Sequence, residues 1–183
     1  MKSATILAAV LCAGLMAATA QAQNIKYSLK VAGIQGEVAD KAHSGDMEVA
    51  SFTFHAAQPG TASVGGGASA GRAQFGAFKV SKRVDTASPK LLLACTTAQH
   101  IQTVIFSARQ GGPAQVEFLK YTLTDVLVTR VCPTGSGAGI PMEDVEFTYG
   151  SIQCDAAQIG SDGKAKEPVT GGWDLKQNKP IAK

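Results

Sequence analysis

The three histidines, His43, His55 and His100, are the side chains that could most readily act as a general base. A nucleophilic serine or cysteine needs such a base within hydrogen-bonding distance, and the base needs a third group to orient it. None of the three histidines lies in a GxSxG or HExxH motif. His43 precedes Ser44 and Gly45, which is a turn composition, and the other two lie beside the ends of predicted strands. We therefore predict no catalytic residues and a protein that is not an enzyme.

The acidic residues are dispersed except for one group, Glu143, Asp144 and Glu146. Calcium loops place oxygen ligands at fixed alternate positions around a glycine, and this group lacks that pattern. The three acids flank the start of a predicted strand, where we expect them to face solvent. The cysteines show no CxxC or other zinc-ligand spacing. The sequence therefore predicts no metal site.

The basic residues are also scattered, and the formal net charge is +3 over 183 residues. Only Lys79, Lys82 and Arg83 cluster. Surfaces that bind nucleic acids combine such clusters with aromatic side chains on which bases stack, and no aromatic residue is interleaved here. We predict that these three residues form a solvated strand face and that the protein binds no nucleic acid.

A glycine-rich segment at 66–72 has the composition of a phosphate-binding loop, Gly-Gly-Ala-Ser-Ala-Gly-Arg. A P-loop requires lysine where this chain has Arg72 and a metal-binding hydroxyl where it has Ala73. No preceding strand and following helix frame the segment. It is therefore predicted to be a loop between strands, and the chain is predicted to carry no cofactor.

Three cysteines, Cys95, Cys132 and Cys154, lie beyond residue 22, and three thiols allow at most one bridge within a chain. The strands on either side of the 133–141 loop are predicted to pair antiparallel, which sets Cys132 near Glu143 and Cys154 near Tyr121. These two levels are roughly 35 Å apart at about 3.3 Å per residue. Since a disulfide needs Cα atoms within about 7 Å, we predict no bridge between Cys132 and Cys154 within one copy.

The N-terminus has the composition of a secretory signal peptide, predicted to comprise residues 1–22. Lys2 supplies a positive charge, residues 4–18 are small or apolar, and Ala20-Gln21-Ala22 forms the small-x-small site of signal peptidase. The apolar run is too short to span a bilayer comfortably, so we expect no permanent membrane anchor. The mature chain would be secreted or periplasmic. If translation began at Met16 instead, the product would be cytoplasmic.

Period-two alternation of apolar and polar residues predicts that the remaining chain is mainly β and forms a single domain over residues 23–183. Clusters of glycine, proline and aspartate separate the alternating runs. A slip in the alternation at Ala50 predicts a β-bulge. The predicted strands are 27–31, 47–54, 74–80, 101–108, 116–131 and 145–152.

One segment, 88–95, has helical features instead. Ser88 is a capping residue, and Pro89 suits the first helical position. The helix is predicted to pack on the sheets through one apolar face, which consists of Leu91, Leu92, Cys95 and Ala98. Cys95 is therefore expected to be buried.

A series of short motifs extends over nearly the whole chain beyond the N-terminal segment. Two of them are Lys30–Glu37, with sequence KVAGIQGE, and Glu117–Val126, with sequence EFLKYTLTDV. The others, in chain order, are His43–Gly45, Met47–Phe52, Gln58–Pro59, the glycine-rich run 65–71, Phe78–Asp85, Ser88–Leu92 and Gly172–Asp174. In this order the motifs resemble those of the Hcp family, the haemolysin-coregulated tube proteins of bacterial type VI secretion.

The resemblance implies a mainly β fold, a compact barrel of two antiparallel β-sheets with one short α-helix, in a ring-forming protein. Six copies would form a flat ring, and rings would stack into a hollow tube. The partners implied are further copies of the chain, the spike and sheath proteins of the secretion machine, and effector cargo in the lumen. Stacking would be mediated by the glycine-rich loop, which comprises Val64, Gly65, Gly66, Gly67, Ala68, Ser69, Ala70, Gly71 and Arg72.

The predicted signal peptide leaves a second function open. An exported chain with the same barrel could be a periplasmic or secreted binding module that builds no secretion tube. The two alternatives share the fold and differ in whether the chain assembles into rings.

Overall fold

The computed structural model describes residues 24–61, 69–70, 72–111 and 115–181, so the predicted signal peptide lies outside the described residues. The described chain consists of strands and one helix. In chain order they are β1 (Ile25–Val31), β2 (Met47–Thr53), β3 (Ala56–Ala57), β4 (Gly60–Thr61), β5 (Ser69–Ala70), β6 (Gln74–Phe75), β7 (Phe78–Arg83), α1 (Ser88–Thr96), β8 (Ile101–Gln110), β9 (Val116–Thr134), β10 (Met142–Ala156), β11 (Val169–Asp174) and β12 (Lys179–Pro180).

Six antiparallel strands close into a barrel in the order β10–β7–β2–β1–β8–β9, and β9 then pairs with β10. Hydrogen bonding is continuous around the barrel, so the two predicted sheets are joined into one. This confirms the predicted mainly β barrel with one short helix. Closure removes the free edges that an open sheet of this size would leave.

The long strand β10 also joins the barrel to a small outer sheet. One of its edges pairs with β9 from Met142 to Ala156. Its other edge pairs first with β7, over 142–147, and then with β11, over 151–156. Because the pairing with β7 stops at Phe147 and the pairing with β11 starts at Ser151, β11 and β12 lie outside the closed ring of six strands.

The predicted bulge in β2 is confirmed. Val49 is opposite Lys82 while Ser51 is opposite Ser81, so the register between β2 and β7 shifts at Ala50. The shift keeps the apolar side chains of β2 directed inward on both sides of the irregularity, since Met47 and Val49 are buried and Phe52 is half-buried.

Helix α1 begins at Ser88, one residue before the predicted first helical position, so Ala87 and not Ser88 is the N-cap residue. The helix also buries a different face from the predicted one. Ser88, Leu91 and Ala94 are buried, whereas Leu92 is 53% exposed and Leu93 is 59% exposed. The predicted inward position of Leu92 is wrong, as is that of Ala98, which is exposed beyond the helix end. Cys95 is only half-buried. The helix packs along β9 through its narrow Leu91 face, which leaves its two other leucines in solvent.

Strands β3 to β6 form a two-stranded ribbon beyond the barrel wall. β3 pairs with β6, and β4 pairs with β5. The chain therefore runs outward from β2 and returns to β7. We call the strands β3 to β6 the ribbon. Its tip, residues 62–68, lies outside the described residues, as does Gly71.

Six aromatic rings fill the part of the barrel nearest the ribbon. Phe78 and Phe106 are fully buried at the centre of the group. The Phe52 ring centroid lies 4.2 Å from that of Phe106 and 5.9 Å from that of Phe78. The remaining members are Tyr27, Phe54 and Tyr121. Buried rings contribute large apolar areas to a core, so this cluster holds together the strands from which the ribbon extends.

Candidate functional site

His43 is the histidine whose surroundings come closest to a catalytic arrangement. Its Nδ1 lies 2.7 Å from Asp46 Oδ2 and 3.2 Å from Ser28 Oγ. In a catalytic triad the acid and the nucleophile contact different ring nitrogens, so that a proton can pass through the ring. Here both oxygens contact the same nitrogen, and Ser28 is only 1% exposed. The contact therefore ties the loop before β2 to β1.

Lys82 and Glu143 form a buried ion pair between β7 and β10. Lys82 is 0% exposed and Glu143 is 2% exposed, and Lys82 Nζ donates to Glu143 Oε1 at 2.7 Å. Lys82 Nζ also donates to Asp85 Oδ1 at 2.8 Å and to the carbonyl of Arg83 at 2.8 Å. Ser88 Oγ donates to Glu143 Oε1 at 2.6 Å. Both charges are thus hydrogen-bonded, which a buried pair requires, and the pair joins the start of α1 to the barrel.

The prediction that Lys82 and Glu143 face solvent is wrong. A signal in the sequence could have shown this, because side chains alternate along a strand. Lys82 lies four residues after buried Phe78, and Glu143 lies two residues before buried Val145. Each charged residue is therefore on the same face of its strand as the buried one. The neighbouring Asp144 is exposed, as predicted.

The three cysteines of the described chain are free thiols. Cys132 is opposite Asp144, and Cys154 is opposite Tyr121, in the β9–β10 pairing. The predicted register is therefore correct at Cys154 and one residue off at Cys132. The prediction that Cys132 and Cys154 form no bridge within one copy stays a prediction, and this register supports it because the two cysteines lie far apart along the β9–β10 pair.

The base of the ribbon is attached to the barrel and to the outer sheet. The Arg72 guanidinium donates through Nη2 to the carbonyl of Leu175 at 2.6 Å, and Tyr149 OH donates to the carbonyl of Gly76 at 3.0 Å. A Cβ at Gly76 would lie 2.1 Å from His55 Cε1, so the imidazole ring lies across this glycine. Of the predicted stacking residues, the structure thus describes Arg72 at the ribbon base and Ser69 and Ala70 in β5.

Next to the ribbon base, the side chains of His100 and Lys176 contact Asp125. Asp125 Oδ1 lies 2.9 Å from His100 Nδ1, and its other oxygen accepts from Lys176. Hydrogen bonding from Lys176, assisted by His100, holds the pKa of Asp125 below its usual range despite partial desolvation. Arg72 lines the same open cleft of about 360 Å³. Asp125 has a φ of 52° and lies between the pairs Thr124–Ser151 and Val126–Tyr149, whose register is the same.

Within the described ranges, no three histidine, cysteine, aspartate or glutamate side chains lie close enough together to hold a metal ion. No helix in the described part of the chain is long and apolar enough to cross a membrane.

The fold defines a class of compact barrel proteins in which a ribbon extends from the barrel wall. Comparison with known proteins shows which family of such barrels the chain belongs to. The family model described as "Type VI secretion system effector, Hcp" matches residues 28–155. The protein Hcp1 of Pseudomonas aeruginosa is 33% identical over 153 residues, which cover 82% of this chain and 94% of the relative.

Solved structures agree with the sequence relationship. Hcp1 of Salmonella typhimurium superposes with a TM-score of 0.72 at 31% identity, covering 86% of this chain and 99% of that structure. A structure described as a type six secretion system protein has a TM-score of 0.82 at 27% identity, with the same coverage. The chain belongs to the Hcp family of type VI secretion. Members of this family are structural tube subunits that are secreted, and the chain is a structural, self-associating subunit of this kind.

Proposed function

We propose that this chain assembles as a homohexameric ring, that rings stack into a tube, and that the ribbon makes the contact between rings. The observation that carries the proposal is the ribbon itself. This two-stranded extension beyond the closed barrel leaves Ala56, Ala57 and Gln74 exposed and packs Phe75 against the core. Its base is bonded through Arg72 and Tyr149. An extension that points away from the barrel and is fixed at its base by hydrogen bonds is suited to contact with another molecule.

Ring formation is tested by the molar mass of the purified mature chain. Light scattering over a dilution series from the micromolar range is expected to give about six protomers per particle. A monomer at every concentration would refute the tube function and leave the second alternative, an exported binding module, which the signal-peptide pattern favours.

Stacking is tested by shortening the tip of the ribbon. Deleting 65–68 leaves β4 and β5 in place, so the fold and the ring are expected to form while association between rings is lost. Deleting 161–164, an exposed turn of the same length, serves as the control and is expected to leave ring-on-ring association intact. If rings of the two deletion variants stacked equally in electron micrographs, a stacking role for Val64 to Arg72 would be refuted.

The same proposal includes the partners of a tube. Stacked rings would enclose effector cargo and would contact spike and sheath proteins. Membership of the Hcp family supports partners of these kinds and does not identify individual proteins. Co-purification of the intact chain with spike, sheath and effector proteins, compared with that of the 65–68 deletion, would test them. Recovery of the same proteins with both chains would show that stacking is not needed for these contacts.

A further inference from the structure

The outer sheet is attached to β10 with little burial. None of the six residues of β11 is buried, and Val169 is 76% exposed. Strand β12 adds two exposed residues, Lys179 and Pro180. By contrast, three of the six residues of β7 are buried where it pairs with the other part of the same β10 edge. We call β11, β12 and the turn between them, residues 169–180, the strap.

Leu175, in the turn of the strap, contacts both the barrel and the ribbon base. Its side chain packs against the core, and its amide donates to the carbonyl of Gly150 on β10 at 2.9 Å. Its own carbonyl accepts from Arg72 Nη2, at the ribbon base, at 2.6 Å. The barrel, the ribbon and the strap therefore meet at this one residue.

The next residue, Lys176, binds a carboxylate that the barrel holds in an unusual conformation. Lys176 Nζ donates to Asp125 Oδ2, and Asp125 Oδ1 lies 2.9 Å from His100 Nδ1. Asp125 lies within β9 with a φ of 52°, which costs free energy in a residue other than glycine. A Cβ at Gly150 would lie 2.9 Å from Lys176 Cε and 3.0 Å from Asp125 Oδ2. The barrel thus keeps a strained residue and an absent side chain where the strap is attached.

The turn of the strap also has hydrogen bonds of its own. Asp174 Oδ1 accepts from the amides of Lys176 at 2.9 Å and Gln177 at 2.8 Å. The amide of Ile181 donates to the carbonyl of Gly172 at 3.1 Å, next to the pairing of β11 with β12. Because these bonds join residues of the strap and its end to one another, they are kept when the strap moves as one piece.

We propose that the strap opens from β10 as one unit while the barrel stays closed, and that Arg72 and Asp125 hold it shut. The six barrel strands close through the β9–β10 pairing, so opening breaks only the β10–β11 ladder and the contacts of the turn. Since Arg72 joins the strap to the ribbon base, displacing the ribbon base would loosen the strap. The inference rests on contacts within one protomer and not on the proposed ring.

Hydrogen exchange of the full mature chain, measured by mass spectrometry of its peptides, tests the separate opening. In the wild type, we expect the amides of 169–174 to exchange at least about tenfold faster than those of β8, because local opening requires less free energy than unfolding of the barrel. Exchange of 169–174 as slow as that of β8 would overturn the inference.

Arg72→Ala removes the bond between the ribbon base and the strap. We expect it to speed exchange of 169–174 by about three- to tenfold, and to change exchange of β8 by less than about twofold. The matched control is Arg83→Ala, at an exposed position on β7, which is expected to change exchange of 169–174 by less than about twofold. Equal exchange of 169–174 in the two variants would show that Arg72 does not hold the strap.

Asp125→Asn tests the other contact without changing the backbone preference, because asparagine also adopts a positive φ. The variant loses the charge that binds Lys176, and we expect exchange of 169–174 to rise by about two- to fivefold. Exchange of 169–174 at the wild-type rate would remove Asp125 from the inference.

A disulfide across the β10–β11 pair identifies the motion. Cys154 is opposite Gly171, and nothing lies within 4 Å of a Cβ at Gly171. Cα atoms of opposite residues are about 4.5–5.5 Å apart, which suits a disulfide. In Arg72→Ala combined with Gly171→Cys, oxidation is expected to return exchange of 169–174 to within about twofold of the oxidised chain that keeps Arg72. An oxidised chain that still exchanged faster would overturn opening of the strap as the cause. The molar mass of the same samples reports ring formation separately.

Discussion

At the level of single residues, the ammonium group of Lys82 connects β7, β10 and the start of α1. Lys82→Met would leave the buried Glu143 carboxylate without its cation, so we expect the free energy of unfolding to fall by about 3–5 kcal/mol. Replacing both residues with methionine is expected to recover part of this loss, because neither buried charge remains. Urea denaturation of the three chains measures the effect.

The matched control is Lys79→Met on the same strand. Lys79 Nζ lies 2.9 Å from Glu146 Oε1, but the lysine side chain is 49% exposed. Solvent screens such a pair, so we expect a loss of about 0–1 kcal/mol. If Lys79→Met and Lys82→Met lowered the free energy of unfolding equally, burial of the Lys82–Glu143 pair would not add to its effect on stability.

Tyr149 and Tyr121 are expected to titrate at unusually high pH. Burial raises the pKa of Tyr149 to about 12, and burial together with nearby Cys154 raises the pKa of Tyr121 to about 12. A tyrosine whose pKa is higher in the folded chain than its ordinary value of 10.0 stabilises the fold fully below pH 10. That stabilisation is lost as the pH rises from about 10 through about 12.

Tyr149→Phe tests this pH dependence. The variant is expected to unfold with a smaller loss of stability between about pH 10 and pH 12 than the wild type, because one raised pKa is removed. At neutral pH it should cost about 1 kcal/mol, since the carbonyl of Gly76 loses its donor. Urea midpoints at stepped pH and the phenolate absorbance of the native chain measure both effects. Full ionisation of Tyr149 near pH 10 would contradict the predicted shift.

At the level of elements, the segment between β1 and β2 depends on a close backbone approach at Gly36. A Cβ there would lie 2.5 Å from the carbonyl oxygen of Asp46 and 2.7 Å from Met47 Cγ. We expect Gly36→Ala to lower the free energy of unfolding by about 1–3 kcal/mol, because backbone atoms must move. Gly171→Ala on β11 is the control, since nothing lies within 4 Å of its Cβ. Equal thermal midpoints of the two variants would contradict this reading of the segment.

The β9–β10 pairing determines where the thiols can react. Asp144, opposite Cys132, and Cys154 are separated along β10 by roughly 33 Å at about 3.3 Å per residue. We expect mild oxidation to produce no Cys132–Cys154 bridge in monomer-sized material, and any bridge to join separate copies. Peptide mapping without reductant, with Cys154→Ser as the control, measures this. An intramolecular Cys132–Cys154 peptide would contradict the observed register.

At the level of the whole molecule, export decides which compartment the barrel folds in. We expect the mature protein in the periplasm or medium to begin at Gln23, as shown by its intact mass in fractionated cells. Ala22→Leu enlarges the side chain next to the cleavage site and is expected to leave the precursor uncleaved. A cytoplasmic wild-type product that begins at or just after Met16 would contradict the predicted signal peptide.

Local patterns in the sequence were sufficient to predict most of the fold. Period-two alternation predicted β1 and β2, because these strands bury one face and expose the other. Runs rich in β-branched and aromatic residues predicted the other barrel strands, although the predicted strand 74–80 is divided in the structure into β6 and β7. The slip at Ala50 predicted the bulge for the same reason. Order and spacing of the motifs then indicated the Hcp family. Strands, the bulge and the motifs are determined by residues close together in the sequence, so they can be predicted without the tertiary structure.

The surroundings of charged residues depended on contacts between distant segments. Lys82 and Glu143 are 61 residues apart in sequence, and only the pairing of β7 with β10 brings them together. Leu92 is exposed because the neighbours of α1 cover only its Leu91 face. Arg109 on β8 is buried, and its Nη1 lies 3.4 Å from Asp40 Oδ2, which is 69 residues away in sequence. Burial is a property of the assembled barrel. The sequence therefore predicted that Lys82 and Glu143 face solvent, whereas the tertiary structure buries both.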